Sequence, residues 1–530
     1  MSGQYLKHVV VGVILSVVIS SGGAEAQKPG GVLRIYHRDS PASMSIHEEA
    51  TNSVSIPMMG VFNNLVLYDQ HKAQNSLDTI VPDLAERWSW NEEGTRLTFK
   101  LRQGVKWHDG KPFTSGDVKC TWDLLTGRAA ERLRLNPRKS WWSNVAEIAA
   151  DDPAEATFVL KRPQPAILAL IASGYTPVYP CHVSPRDMRQ HPVGTGPFKF
   201  VEFKPNERIK LARNPDYWKP GRPYLDGIEY TIIPNRSTAI LAFAAGKFDL
   251  TFPYEVTIPL MKDVQNQAPQ AVCDLTPTNA STNLLLNREG PPFDNADLRR
   301  ALALALDRKS FINILAEGHG DIGGAMQPPP AGVWGMPADV LATIPGYASD
   351  VHRAEAREIV QRLGYGPDKR LAIKVAARNI PAYRDPAIIL IDQLKEIWID
   401  GELDAVETAN WFPKVARKDY QIGLNNTGSG VDDPDQQFFE NYACGSERNY
   451  TGYCNAELEK LFVEQSTMAD REKRRHLVWD IDKKLQEDGA RPIVYHTRAG
   501  TCMQPQLKGL TVMVNSQYNG WRMEDVWLDR

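Results

Sequence analysis

The sequence predicts a mixed α/β protein built as more than one lobe. Strands of period two crowd its first half, and long helices of period 3.6 fill its second. Proline- and glycine-rich joins such as "RNPDYWKPGRPYLDG", "GGAMQPPPAGVWGMP" and "RNIPAYRDP" separate them, with no repeat period anywhere in the chain.

The first element is not part of the fold. Lys7 and His8 precede an apolar run from Val9 to Ile19, which leads into Ser/Gly and then Ala24-Glu25-Ala26. A basic start, a short apolar core and small residues three and one before a cut describe a secretory signal peptide. It is expected over residues 1–26, with the mature chain starting near Gln27. The apolar run is shorter than the roughly 20 residues a membrane span needs. No cysteine follows the cut to carry lipid, so no direct membrane insertion is expected.

Among the strands, "TRLTFKLRQGVKW" sets Leu97, Phe99 and Leu101 at period two and ends in the turn "HDGKPF". "GDVKCTWDLLTG" reads as a short helix bounded by glycines, and "ATFVLKR", "RIKLARN" and "GIEYTIIP" as further strands. "FDNADLRRALALALDRKSFINILAEG" predicts one long helix, capped by Asp294 or Asn295 and closed just before Gly318. "HRAEAREIVQRLGYG" is expected to stop at Gly364, and "DPAIILIDQLKEIWIDG" to begin at Pro386. "DREKRRHLVWDIDKKLQEDG" runs from an acidic start to Gly489.

Composition excludes several functions. Formal net charge is −3, from 61 basic and 64 acidic residues of dispersed sign, so no nucleic-acid partner is indicated. No two of the eleven histidines lie within five residues of each other, which removes the paired-histidine zinc motifs. There is no G-x-S-x-G elbow and no C-x-x-C pair. "VGTGPFKF" lacks the G-K-[ST] ending of a phosphate loop. A carboxylate pair acting on a sugar leaves no local signature, so a secreted hydrolase stays as the competing class. No catalytic residue, cofactor or metal is assigned. The acids Asp432, Asp433 and Asp435 lack the D-x-D-x-D-G spacing of a calcium loop, and beside Pro434 they suit a helix cap.

Six cysteines fit an oxidising compartment. Cys444 and Cys454 flank "GSERNYTGY", a polar loop able to fold back on itself, where a bridge is worth about 2–3 kcal/mol. Cys120, Cys181, Cys273 and Cys502 are too widely spaced to pair by sequence, and a buried free thiol at Cys120 is the plain alternative.

Four blocks together resemble the peptide-binding family of bacterial extracytoplasmic solute-binding proteins, which deliver ligands to ABC transporters. They are residues 81–118, "VGTGPFKF" (193–200), "ARNPDYWKPGRPYLDGIEYTIIPNRSTAILAFAAGKFDL" (212–250) and "PPFDNADLRRALALALDRKSFI" (291–312), in the family's order. The resemblance implies an α/β, two-lobed periplasmic-binding-protein fold with an additional domain inserted in the first lobe. Lobe one is then 27–73, 197–286 and 490–530, the extra domain 74–196 and lobe two 287–489. Residues 282–288 and 491–500 become the hinge crossings. The implied function is a monomeric periplasmic component that encloses a small-molecule or peptide ligand and hands it to an inner-membrane ABC permease.

The resemblance also implies site residues. Dipeptide-binding members contact the ligand carboxylate through an arginine soon after a second-lobe strand, and Arg378 holds the matching place, with Arg384 in the same turn. The family's ammonium-binding aspartate lies three residues before an acid–proline pair. That position is Gly430 here, leaving Asp432 or Asp433 to serve through a shift of the loop. The aromatic common before this loop is replaced by Asn426. Trp411 is placed either to stack on ligand or in the core, and Ser40 where lobe one presents its backbone. Cys444 and Cys454 match a cysteine pair of the dipeptide binders. Because the ammonium aspartate is missing, a non-peptide solute such as an opine, an oligosaccharide or a metal complex remains the alternative within the fold.

Overall fold

The computed structural model describes residues 27–347 and 351–530. The expected signal peptide lies outside the described residues. Three sheets organise the chain. The first has four strands in the order Val32–His37, Gly227–Ile232, Arg208–Arg213, Phe198–Lys204, with the first pair parallel and the rest antiparallel. The second is an antiparallel sheet of Ala85–Trp90, Arg96–Leu101, Glu155–Leu160 and Val145–Ala149. The third has five strands in the order Ile399–Val406, Leu371–Arg378, Ile422–Gly428, Val272–Leu286, Ile493–Met503.

The alternation read in "TRLTFKL" places Leu97, Phe99 and Leu101 in the core beneath Trp122 and Phe158. Trp122 rides on the helix Ser115–Thr126, which ends at Gly127 in the left-handed conformation (φ 79°). This packing joins the first two sheets in one hydrophobic core. A separate core lies on the five-stranded sheet, where Leu284, Leu286, Val375 and Leu424 meet Leu302 and Leu390 of the covering helices.

Two strands cross between these bodies. Val272–Leu286 pairs with Ile493–Met503 in antiparallel register from Val272↔Met503 to Asn283↔Ile493. The register breaks between Pro277 and Ser281, where Asn279 takes a positive φ of 50°. On one side of the break the pair bonds toward the first sheet through Leu250, which bridges both Ile35 and Met503. On the other side it is part of the five-stranded sheet.

Three sequence expectations are corrected. The helix expected across residues 294–318 is two, Ala296–Ala305 and Arg308–Ala316. Leu306 turns extended, and Asp307 caps the second helix by accepting from Ser310 N, an interior cap that hydrophobic periodicity does not reveal. The helix expected at Pro386 begins five residues earlier at Pro381, after an extended Ile380, and carries Pro386 inside it. Cys120 is bonded to Cys181 and is not a free thiol. Cys273 and Cys502 face each other directly across the crossing strands and form a second disulfide, and Cys444–Cys454 forms the third.

Candidate functional site

Val32–His37 and Leu371–Arg378 belong to different sheets, yet their carboxyl ends converge. In α/β sheets this is the end at which ligands collect. Arg378 closes its strand, and Asp39 follows the other by two residues. They form an ion pair in which Arg378 is 0% and Asp39 4% exposed. Ser53 Oγ donates to Asp39 Oδ1 at 2.6 Å and Thr408 Oγ1 to Asp39 Oδ2 at 2.8 Å. Arg378 Nε donates to Thr408 Oγ1 at 2.8 Å, and its Nη2 also reaches Ser53 Oγ at 3.2 Å. Burial by itself pushes the Asp39 carboxyl up, but the guanidiniums of Arg378 and Arg38 outweigh it and hold the group below the ordinary carboxylate range.

Two cavities reach the pair's hydrogen-bond partners, the first through Thr51 and the second through Thr408, and both touch Ala50. The first, about 300 Å³, lies against the crossing strands. Its walls are Arg38, Asn52, Tyr254 and Glu255 on one side, Thr278 and Thr497 at the crossing, and Tyr383 and Asn426 on the other. Glu255 pairs with Arg38 and with Arg236 Nη2, the latter at 3.3 Å. Each of the two arginines keeps one donor free of hydrogen bonds, Arg38 Nε and Arg236 Nε. Arg38 Nε lies 3.9 Å from Asp39 Oδ1, beyond bonding range. Arg38, Arg236 and Arg498 line the first cavity together with the acids Glu255 and Asp385.

The second cavity, about 470 Å³, lies between residues 42–50 and 134–137 on one side and the helix Thr408–Ala416 with Glu447 and Tyr450 on the other. Leu135, Pro137, Phe412 and Pro413 give it apolar walls, with Glu48 and Glu49 among them.

The acidic loop that the sequence singled out is committed to internal bonds. Asp433 caps the helix Pro434–Asn441 by accepting from Asp435 N, and it takes a bidentate bond from Arg474 at 2.7 and 3.0 Å. Asp435 shares Arg474 and also accepts from Gln164, Gln465 and Ser466. Asp432 Oδ2 accepts from Val333 N at 3.2 Å, and burial raises its carboxyl to about 7. None of these acids lines either cavity. Among the described residues no group of three or more His, Cys, Asp or Glu is arranged to hold a metal.

Gly430 is closed to an acid by packing. A Cβ there would sit 2.9 Å from Ser173 Oγ and 3.0 Å from Tyr175 Cδ2. The Gly430 carbonyl is held by Asn519 Nδ2 at 2.8 Å. At Gly428 a Cβ would meet Gln517 Nε2 at 2.3 Å and the Tyr518 hydroxyl at 2.4 Å. Two tyrosines and a glutamine occupy the space that an acidic side chain at this loop requires.

Trp411 is 0% exposed and packs in a small core with Leu285, Val415 and Tyr450, beneath the cleft rather than on its wall. Its place on the inner face of the helix Thr408–Ala416, under the apolar Leu285 and Ala376, explains this. Ser40 Oγ accepts from Asn206 N at 3.1 Å, a contact within the first sheet's loops. Sequence reasoning missed Asp39, Arg38, Arg236, Glu255 and the Glu48–Glu49 pair. Their local signal was charge next to strand ends, which in sequence looks the same as solvated surface.

Comparison with known proteins gives a consistent picture. A family model described as "Bacterial extracellular solute-binding proteins, family 5 Middle" matches residues 79–449. The chain is 23% identical over 483 residues to "Probable di/tripeptide-binding protein 5" of Pseudomonas aeruginosa (strain UCBPP-PA14), covering 85% of this chain and 87% of that protein. Its fold matches the ABC transporter-associated periplasmic binding protein DppA from Helicobacter pylori in complex with the peptide STSA. That match has TM-score 0.82 and 21% identity over 95% of this chain and 99% of the other. It equally matches the PBP AgaA in complex with agropinic acid from A. tumefacien R10, with TM-score 0.82 and 21% identity over 94% and 99%. At such identities the structural likeness establishes the two-lobed fold and nothing about ligand.

Proposed function

The chain belongs to the bacterial extracellular solute-binding proteins, family 5, and on that premise we propose that it captures a peptide-class solute between two closing lobes and delivers it to an ABC permease. The observation that carries the reading is the first cavity, lined from both sides of the convergence of two sheets and by the strands that cross between them. A binder needs a closable cleft with a few placed polar groups, and no nucleophile. The broken register at Pro277–Ser281 supplies the flexure at the crossing in this proposal.

In this proposal lobe one comprises 27–73, 197–286 and 490–530, the extra domain 74–196 and lobe two 287–489. The second sheet falls wholly within 74–196 and the first within lobe one, which supports those parts of the division, while Ala280–Leu286 pairs with Ile422–Gly428 in the five-stranded sheet and moves the crossing ahead of residue 286. Contacts that bind the extra domain to lobe two, Trp141 Nε1 to Glu440 Oε2 at 2.5 Å and Gln164 Nε2 to Asp435 Oδ2 at 2.9 Å, join the faces across which closure would occur. Export to the periplasm through residues 1–26 completes the proposal. Among the described residues no helix is long and apolar enough to cross a membrane.

Arg378 enters this scheme as a closure contact. A ligand carboxylate reaches it only by displacing Asp39, whereas Arg38 and Arg236 line the first cavity. An anionic ligand end is therefore assigned to the first cavity. The filled space at Gly430 favours one second reading, a solute other than an ordinary peptide, such as an opine or an oligosaccharide.

Thermal unfolding of the mature protein against pooled free, N-acetylated and C-amidated di- and tripeptides, with opine and oligosaccharide pools alongside, separates these readings. A ligand at a hundred times its dissociation constant stabilises the native state by about 2.7 kcal/mol. A shift with free peptides that amidation weakens supports the proposal. A shift confined to the opine or sugar pools replaces it with the second reading.

A further inference from the structure

We propose that Gly428 and Gly430 are positioning residues for the first cavity. They make a backbone wedge that fits between Gln517–Tyr518 on one side and Ser173–Tyr175 on the other, and so set how closely the cavity walls meet. This rests on the reading of the molecule as closing lobes. In the proposed division the wedge belongs to lobe two, Gln517–Tyr518 to lobe one and Ser173–Tyr175 to the extra domain.

The backbone does not demand glycine at 428. The residue ends the strand Ile422–Gly428 opposite Ala280 and is not among the glycines of positive φ. The demand comes from another body. A Cβ at 428 would fall inside contact distance of Gln517 Nε2 and the Tyr518 hydroxyl, and 2.8 Å from Tyr518 Cε2. Neither side chain is free to step aside. Gln517 Oε1 accepts from Asn52 Nδ2 at 3.0 Å, and Gln517 Nε2 donates to the Tyr518 hydroxyl at 3.2 Å. The Tyr518 ring lies against Tyr175, with centroids 4.5 Å apart.

Gly430 meets the opposite wall, where a Cβ would stand 2.9 Å from Ser173 Oγ and 3.0 Å from Tyr175 Cδ2. Its carbonyl accepts from Asn519 Nδ2 at 2.8 Å and from Ser516 Oγ at 3.2 Å, so the wedge is bonded as well as fitted. Ser429 ties it to the flexure. The Ser429 N–H donates to the Asn279 carbonyl at 2.8 Å, and Asn279 Nδ2 donates to the Asn515 carbonyl at 2.8 Å. Asn279 is the residue of positive φ at the register break between the crossing strands.

The first cavity lies beside this wedge. Gln517 and Tyr518 line it from lobe one, and Asn426, two residues before Gly428 on the same strand, lines it from lobe two. Overpacked contacts are relieved by displacement, so a Cβ at 428 holds these two walls apart. Gly423, on the same strand, shows the contrast. A Cβ there finds Leu285 at 3.4 Å and Trp411 at 3.5 Å, ordinary packing within lobe two.

Every contact of the wedge is made by the chain itself, so docking through it requires no solute. The test is the distance distribution between spin labels at Gln265→Cys and Glu358→Cys, exposed positions on lobes one and two, in the mature protein without added solute. Gly428→Ala is expected to fold and to lower the ratio of short to long distances about tenfold or more, the scale of one overpacked methyl. Gly423→Ala leaves the ratio unchanged. Gly428→Ala/Gln517→Ala/Tyr518→Ala removes the atoms that the new methyl meets and recovers the short distances. A Gly428→Ala distribution equal to wild type, no recovery in the triple variant, or loss of folding in Gly428→Ala by circular dichroism overturns the wedge. Solute pools that leave the wild-type distribution unchanged sink capture by closure instead, and none of them enters this comparison.

Discussion

At the scale of single residues the molecule turns on buried charges with unequal company. Asp39 and Arg378 form a buried pair, and removing one member strands the other. Arg378→Met is expected to lower stability by about 3 kcal/mol, and Asp39→Asn/Arg378→Met to recover much of that loss. Denaturant unfolding of both single variants and the double closes the cycle; equal losses in the single and the double would deny the coupling. Asp432 behaves in the opposite way. Its folded carboxyl is raised to about 7 by burial, so ionisation opposes folding and stability falls as pH rises from the unfolded value toward 7. Asp432→Asn is therefore expected to stabilise the protein at pH 8 and to change little at pH 4.5, read by melting temperature at both. These residue environments were the least legible part of the sequence. "DSPAS" and "HEEAT" look like loop and surface, because what buries Asp39 and Glu48 is a partner more than a hundred positions away. Arg378 was singled out for a ligand carboxylate, and nothing local announced that the chain supplies one of its own.

At the scale of elements, the period-two strands and the capped helices were readable because alternation and caps are local properties. Leu97, Phe99 and Leu101 all face the core, and Gly127, Gly364 and Gly489 all take positive φ at helix ends. The errors came from interior proline and aspartate. Asp307 starts a new helix inside an unbroken apolar pattern, and Pro386 is tolerated inside one. Pairing of the four widely spaced cysteines was beyond local reading, since register between the crossing strands sets Cys273 opposite Cys502. That bridge closes a loop of 229 positions against 10 for Cys444–Cys454. The loop-entropy account assigns them about 5 and about 3 kcal/mol. Cys273→Ala/Cys502→Ala is thus expected to lower the denaturation midpoint more than Cys444→Ala/Cys454→Ala. The reverse order would mean that the crossing strands are held by their hydrogen bonds, with the bridge adding little.

At the scale of the whole molecule, the account holds that two bodies joined by the strands Val272–Leu286 and Ile493–Met503 close on a solute. The two-lobed plan was legible in the four family-like blocks, whereas the cavities were not, because each is assembled from segments scattered over the chain. All six cysteines are bonded, so new cysteines can be labelled selectively. Gln265, on the helix Ile258–Gln267, and Glu358, on the helix Arg353–Arg362, are exposed positions on the two bodies. The most direct test is the distance distribution between spin labels at these two sites, with and without a pool that raises the melting temperature. The account predicts a shorter and narrower distribution with the stabilising pool, and a broader one in Asp39→Asn. An unchanged distribution in the presence of a stabilising pool would contradict capture by lobe closure.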